Sequence, residues 1–377
     1  MYGFIMTACV RMAWAAALAL LVSSPHEALG QQPDSAVPAD FTDFEFIQYI
    51  TAPHSTPQNI LRLDNNGEIV LAARGGVTRS QLEVLGVSFS ESQIALLKTW
   101  RLLKEEGDTL ASLIPILGPE DTRRLRRRIQ TAASAIAAEL HPAVSRLQTE
   151  LGKTGRAHNA YTIIFSYVLD GLVWDEFEKH GVLDNREVTA ETPLWSGYVW
   201  ALYPPRTFSP GTNTISDEGI SLKVAWAEAT LPKMRPFVAD IPTLVRMFND
   251  YKERGRVEDE RVREVFGLFG LFDETGRFTI PVIAENDSNR LYKLAKTVAE
   301  GVAAEAPTLL DLPLLATEFG FRDERQALVV AYHELMWEIL DRLEADGLVQ
   351  RPVAFAEPDQ ARPVDIAALV FIVRGSE

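Results

Sequence analysis

The chain has 377 residues, 47% hydrophobic and 24% charged, with a formal net charge of −15. That length suggests two or three domains, and the composition is ordinary for a soluble globular protein with packed cores. The acidic balance opposes wholesale binding to nucleic acid, whose phosphates would repel it, and fits neutral or cationic partners.

Residues 1–30 read as an export signal. Arg11 supplies the positive charge, residues 12–22 an apolar run, and Ala28-Leu29-Gly30 the small residues that a signal peptidase reads. The apolar run is shorter than the roughly 20 residues needed to span a bilayer. The competing readings are an uncleaved anchor or a misplaced start. With the signal removed the chain would contain no cysteine, because Cys9 is its one cysteine. Disulfides, thiol catalysis and thiolate metal sites are then excluded. The expected location is periplasmic or secreted, with no transmembrane segment in the mature chain.

Residues 31–41 read as a linker, and residues 42–155 as an N-terminal domain of helix-turn-helix and wing-like character. In residues 61–73 the turn signal Asp64-Asn65-Asn66-Gly67 between apolar runs predicts a hairpin. Thr78-Arg79-Ser80-Gln81 and Ser90-Glu91-Ser92-Gln93 match the capping box, in which hydroxyl and glutamine each satisfy an orphan amide. They predict a short helix over 79–85 and a longer one over 91–106. Helix, tight turn, helix and then a strand after Gly107 is the element order of a winged helix-turn-helix.

Pro119 occupies the favoured first position of another helix, with Leu125, Ile129, Ala132, Ala133, Ile136 and Leu140 on its inward face. Arg123, Arg124, Arg126, Arg127 and Arg128 crowd its first turns, where the helix dipole disfavours cations. They are either an anion site or a solvated face that pairs with the protein's own carboxylates.

Residues 156–232 read as a central aromatic helix plus a β-hairpin. Residues 159–179 are apolar almost all round, the mark of a helix buried in a larger domain. Tyr198, Trp200 and Leu202 alternate on one strand; Leu222, Val224 and Trp226 alternate on another against Ser221, Lys223 and Ala225. Between them lies a connection over residues 204–219 long enough to be functional or mobile. Residues 233–377 form a C-terminal domain with two helix-Gly-strand units. In these, helices lead into Gly276 and Gly347, the second over residues 324–345 with an apolar stripe of Leu328, Ala331, Tyr332, Leu335, Met336, Ile339, Leu340 and Leu343, and extended runs follow that reach Pro281 and Pro352. Gly107 and Pro115 give an earlier instance. Residues 365–374 close the chain as a buried strand.

Sites of chemistry are sparse. The chain has no Gly-rich phosphate loop, dinucleotide fingerprint, nucleophile elbow or His-Glu-x-x-His motif. His333 and Glu338 diverge by roughly 140° on a helix and cannot share a metal. Glu176 and His180, at i and i+4, could form an acid/base pair, or could simply mark a helix end closed by Gly181. The candidate site residues are therefore Glu176 and His180 for catalysis, and Arg123, Arg124, Arg127, Arg128 and Arg206 for ligand binding, with no metal and no cofactor.

The expected fold is α+β and mainly helical, helix bundles carrying short antiparallel strand pairs in the manner of tandem winged-helix modules. The expected function is that of an exported, non-catalytic binding protein for an unidentified protein or small molecule. One rival is an exported hydrolase built around Glu176, His180 and residues 204–219. Another is a DNA-binding regulator, which requires the signal-like segment to be spurious.

Overall fold

The structure, a computed structural model, describes residues 40–227, 230, 240–356 and 365–374. The expected export signal and residues 31–39 of the linker lie outside the described residues. The architecture is α+β, about 54% helical with 17% strand in small sheets. Among the described residues no helix is long and apolar enough to cross a membrane.

In chain order, strand β1 (Glu45–Thr51) is followed by helices α1 (Pro57–Leu61) and α2 (Asn66–Ala72), strand β2 (Val77–Thr78), and helices α3 (Arg79–Val84) and α4 (Glu91–Thr99). Strands β3 (Leu103–Glu106), β4 (Thr109–Ser112) and β5 (Ile116–Leu117) lead into the long helix α5 (Pro119–Gly152). Both capping boxes form: Thr78 and Ser90 accept from the amides of Gln81 and Gln93, whose side chains return to the cap amides. Strands β2, β4 and β3 pair in that order as an antiparallel sheet beside these helices. The helix expected over 91–106 stops at Thr99, because Arg101 takes a left-handed conformation and the chain turns into β3.

The hairpin expected over 61–73 is instead the helix pair α1 and α2. The Asn66 side chain is buried and donates from Nδ2 to the Ile60 carbonyl at 2.9 Å, tying one helix to the other. A short apolar run does not itself distinguish a strand from a buried helix, and here tertiary burial decided for helix.

A second group of elements follows. Helix α6 (Ala160–Thr162), a π-helical segment (Ile163–Leu172) and helix α7 (Val173–Lys179) make one bent rod. Strands β6 (Ser196–Leu202), β7 (Gly211–Asp217) and β8 (Ile220–Trp226) come next, then helices α8 (Ile241–Arg254) and α9 (Glu260–Gly267). Strand β9 (Val282–Glu285) precedes helices α10 (Arg290–Leu310), α11 (Leu312–Phe319), α12 (Glu324–Ala345) and α13 (Val353–Ala356), and strand β10 (Leu369–Arg374) ends the described chain. The connection over 204–219 is not a bare loop: it contains β7, which forms the hairpin with β8. β6, the other alternating strand, pairs with β1 and β5 in a separate sheet.

That sheet divides two apolar clusters. Phe46, Val199 and Ala201 pack with the α1–α4 elements, whereas Tyr49, Tyr198, Trp200 and Leu202 join the larger core. The larger core is organised around α12. Its expected stripe is buried, and so are Val329, Val330, His333, Glu334 and Trp337, so the helix is enclosed on nearly all sides. The remaining sheet has the order β7-β8-β10-β9, with β10 antiparallel to β8 and parallel to β9. Its β10 is the buried closing strand expected from the sequence.

The three helix-Gly-strand units are not one repeat. Gly107, Gly276 and Gly347 all have positive φ, at 60°, 81° and 71°. Gly107, however, turns between β3 and β4. Gly276 lies in a loop joined by the Phe272–Phe278 bridge, and Gly347 follows a helix end. Between Gly347 and α13 no strand forms; the extended run expected there leads directly into that helix. A left-handed glycine serves any tight reversal, so the shared residue carries no shared architecture.

Candidate functional site

The bent rod is where local structure departs furthest from the regular. Over Ile163–Leu172 the helix widens to the π form, and Asp170 leaves helical geometry altogether at φ −97° and ψ 28°. Such widened turns concentrate at functional sites, because they free backbone groups and redirect side chains. Here the hydroxyl of the buried Tyr332 donates to the Leu169 carbonyl at 2.7 Å, immediately before the break. Ser166 donates to the Thr162 carbonyl at 2.8 Å.

Across from the break lies the polar face of the four-stranded sheet. The pairing register sets Thr214 opposite Lys223, Ser221 opposite Ile372, and Arg374 opposite Glu285. Partners across a ladder point to the same side, so these residues form one face while Leu222, Val224 and Phe371 enter the core behind it. Between this face and the rod is a cavity of about 340 Å³, closed on another side by Gln48, Tyr49 and Ile50 of β1. Asp170, Asp175 and Glu285 line it together with Arg186, Lys223 and Arg374, and His333 reaches it from α12.

Some of these charges are already matched. Arg374 Nε stands 3.3 Å from Glu285 Oε2, and Tyr167 donates to Glu285 Oε1 at 2.9 Å. Arg186 lies over the Tyr49 ring at 3.9 Å and donates to Glu178, which also accepts from the Tyr49 hydroxyl. Tyr49 and Trp174 stack at 4.2 Å to form an aromatic wall. Other groups remain under-used. Lys223 Nζ contacts Thr214 Oγ1 at 3.3 Å and, among the described residues, meets no carboxylate at ion-pair distance. Gln48 Oε1 is buried with no hydrogen-bond partner among the described residues. Asp170 accepts one hydrogen bond, from Trp174 Nε1 at 3.1 Å.

Titration behaviour follows from this enclosure. Asp170 and Lys223 keep part of their surface open to the cavity, yet packed atoms displace most of the surrounding water. Burial pushes Asp170 up to about 6, against the opposing pull of Lys223 and the Trp174 hydrogen bond. Burial lowers Lys223 from its ordinary value, while Asp170 and Asp175 act in the other direction. His333, sealed among the rings of Trp174, Trp200 and Trp337, falls to about 4 through desolvation. Its Nδ1 is 2.9 Å from the Val329 carbonyl, an acceptor, so Nδ1 carries the proton and Nε2 is the unprotonated nitrogen.

The residues singled out by sequence lie elsewhere. Glu176 and His180 do meet, at 3.1 Å, near the end of α7, where Lys179 also reaches Glu176 at 2.9 Å and Gly181 closes the helix with φ 68°. His180 is largely exposed, and neither residue lines the cavity. Arg123 and Arg127 pair with Glu120, Arg124 with Asp121, and Arg128 with Glu318. Arg206 reaches Glu334 at 3.0 Å and Asp341 at 2.7 Å, anchoring the start of the 204–219 segment to α12. Among the described residues no group of three or more His, Cys, Asp or Glu side chains is placed to hold a metal ion.

Sequence reasoning did not single out Asp170, Lys223 or Gln48 as site residues. Asp170-Gly171 carried a usable signal, an acid and a glycine interrupting an otherwise apolar run. Lys223 carried none, since a lysine alternating with core residues ordinarily marks a solvated sheet face.

No family model, curated protein or solved structure matches the chain.

Proposed function

We propose that the chain is a binding protein for a small polar molecule carrying both donor and acceptor groups, held in the cavity between the rod and the four-stranded sheet. One observation carries this reading: the cavity gathers under-partnered groups of both kinds, Lys223 as donor and Asp170 and Gln48 Oε1 as acceptors. Leaving buried polar groups unmatched costs stability, so their convergence on one space favours a ligand that completes them. At about 340 Å³ the space is at the small end of ordinary ligand pockets. Export of the protein, read from residues 1–30, puts such binding outside the cytoplasm.

Residues 57–112 support a finer reading of the fold as a single winged-helix-like module. Helix pair, strand, second helix pair and two further strands follow in order, with sheet order β2-β4-β3. Its wing carries exposed Glu106 and Asp108, and Arg79 and Lys98 are engaged by Glu91 and Glu105. This charge favours a protein partner over nucleic acid for the module. The hydrolase reading at Glu176 and His180 is weaker, because Lys179 shares the carboxylate and, among the described residues, neither side chain is hydrogen-bonded to a serine or threonine hydroxyl.

Native mass spectrometry of the purified protein, followed by calorimetric titration with amino acids, amines and small carboxylic acids, tests the cavity reading. Asp170→Asn and Lys223→Met should each weaken binding by about tenfold or more, the loss of one charged hydrogen bond. If the tightest ligand binds both variants as well as the parent protein, the site lies elsewhere.

A further inference from the structure

Lys223 differs from the cations around it. Arg374 and Arg186 have carboxylate partners, whereas Lys223, with three carboxylates lining the same cavity, is hydrogen-bonded to a threonine hydroxyl. The space beside its amine is kept open by a missing side chain. A Cβ at Gly171 would stand 3.4 Å from Nζ and 3.7 Å from Cε, so a larger residue would crowd the amine. The helical break next to Gly171 presents Asp170 to the same cavity.

We infer that Lys223 is a nucleophilic amine whose Nζ condenses with the carbonyl carbon of a small aldehyde or ketone held in the cavity, forming an imine. The inference rests on the cavity being a ligand site and names the class of ligand that it takes. A lysine nucleophile must be neutral, and desolvation without a fixed counter-ion is the ordinary means of making it so. Lys223 is shifted in that direction by burial; the charged groups that act on it are Asp170, Asp175, Glu285 and Arg374. Asp170, held up to about 6, retains its proton far more readily than an exposed aspartate.

The step balances without an oxidant or reductant. The Nζ lone pair forms the C–N bond while the carbonyl π pair moves to oxygen, which takes the Asp170 proton. The adduct nitrogen returns a proton to the Asp170 carboxylate. Asp170 then protonates the hydroxyl, which leaves as water as the nitrogen lone pair forms C=N. One water is released, and a protonated iminium remains beside an ionised Asp170.

Reductive trapping tests this on the full chain. The protein is treated at pH 7 with formaldehyde, acetaldehyde or pyruvate and sodium cyanoborohydride, and modification at each lysine is measured by peptide mass spectrometry. Formaldehyde is small enough to enter the cavity whatever its natural ligand. Lys223 should be modified at least about tenfold faster than the exposed Lys104 and Lys153, since burial leaves more of its amine neutral. Lys223→Arg should lose that fast site with its near-ultraviolet circular dichroism unchanged, and Asp170→Asn should slow trapping at Lys223. Modification of Lys223 no faster than Lys104 and Lys153 with all three probes overturns the inference. Calorimetry without reductant separates the two readings. Ligand binding that depends on Asp170 but shows no trapping leaves a binding cavity and removes the imine. The loss of both removes the cavity as well.

Discussion

Arg126 and Glu334 meet through two parallel hydrogen bonds, Nε to Oε2 at 2.9 Å and Nη2 to Oε1 at 3.1 Å, across 208 positions of sequence. Glu334 is 1% exposed and also receives Arg206 at 3.0 Å, while Arg126 donates to the Pro204 carbonyl at 2.9 Å. One carboxylate thus clamps α5, α12 and the start of the 204–219 segment together.

Removing that carboxylate strands the Arg126 guanidinium in a mostly buried setting and leaves Arg206 to Asp341 and Glu338. Glu334→Leu should therefore cost about 3–5 kcal/mol in urea unfolding, and the triple change with Arg126→Met and Arg206→Met should cost less than the single one. By contrast Arg127→Gln, whose partner Glu120 is well exposed, should stay within about 0.5 kcal/mol of the parent. Equal losses for Glu334→Leu and Arg127→Gln would contradict the clamp.

Asp170 and His333 face one cavity and titrate in opposing senses. Asp170 rises from 3.8 to about 6, so its contribution to stability is complete below the lower value and is lost as pH rises through the higher. His333 falls from 6.5 to about 4, so its contribution is complete above the higher value and is lost as pH falls through the lower. Over the shared window the two oppose each other. Asp170→Asn leaves His333 unopposed, and the variant should lose about 2 kcal/mol more than the parent on going from neutral pH to about 4. Urea unfolding at a series of pH values measures this; parallel stability curves for variant and parent would refute it.

The second capping box does more than start a helix. Gln93 accepts from the Ser90 amide at 2.9 Å, and its Nε2 donates to Asn65 Oδ1 at 2.9 Å and Asn66 Oδ1 at 3.2 Å. Ser90→Ala should cost about 1 kcal/mol, the usual worth of a cap. Gln93→Ala should cost roughly twice that, because it also leaves the buried Asn66 amide short of a partner. Thermal unfolding that ranks the two in the reverse order would show that Gln93 acts as a cap and nothing more.

Two left-handed glycines separate conformational cost from crowding. At Gly86, with φ 73°, an added Cβ meets nothing, and Gly86→Ala should cost about 1 kcal/mol. At Gly276, with φ 81°, the same atom would collide with the Val257 carbonyl, whose amide bonds the Gly276 oxygen at 2.8 Å. Gly276→Ala should cost at least about 3 kcal/mol. Comparable unfolding midpoints for these variants would mean that the loop relaxes freely.

The elements legible in the sequence are those set by neighbours a few positions apart. The capping boxes at Thr78 and Ser90, the helix start at Pro119, the stripe of residues 324–345 and the alternation around Leu222 each use contacts within one or two turns, so a linear pattern records them. The same locality explains the misreadings. Residues 61–73 carried a turn signal that burial of Asn66 overrode, and three glycines with one conformation serve three different reversals. What only the tertiary structure decided is where the polar face of a strand points. Lys223 alternates with core residues, a pattern that does not say what covers it; a widened helix over residues 163–172 brings Asp170 to the space beside it, and β1 brings Gln48. Arg126 and Glu334 were equally unreadable as partners. Charge pairing and desolvation act through space across distant parts of the chain, and no periodicity of a single segment encodes which distant segment will cover it.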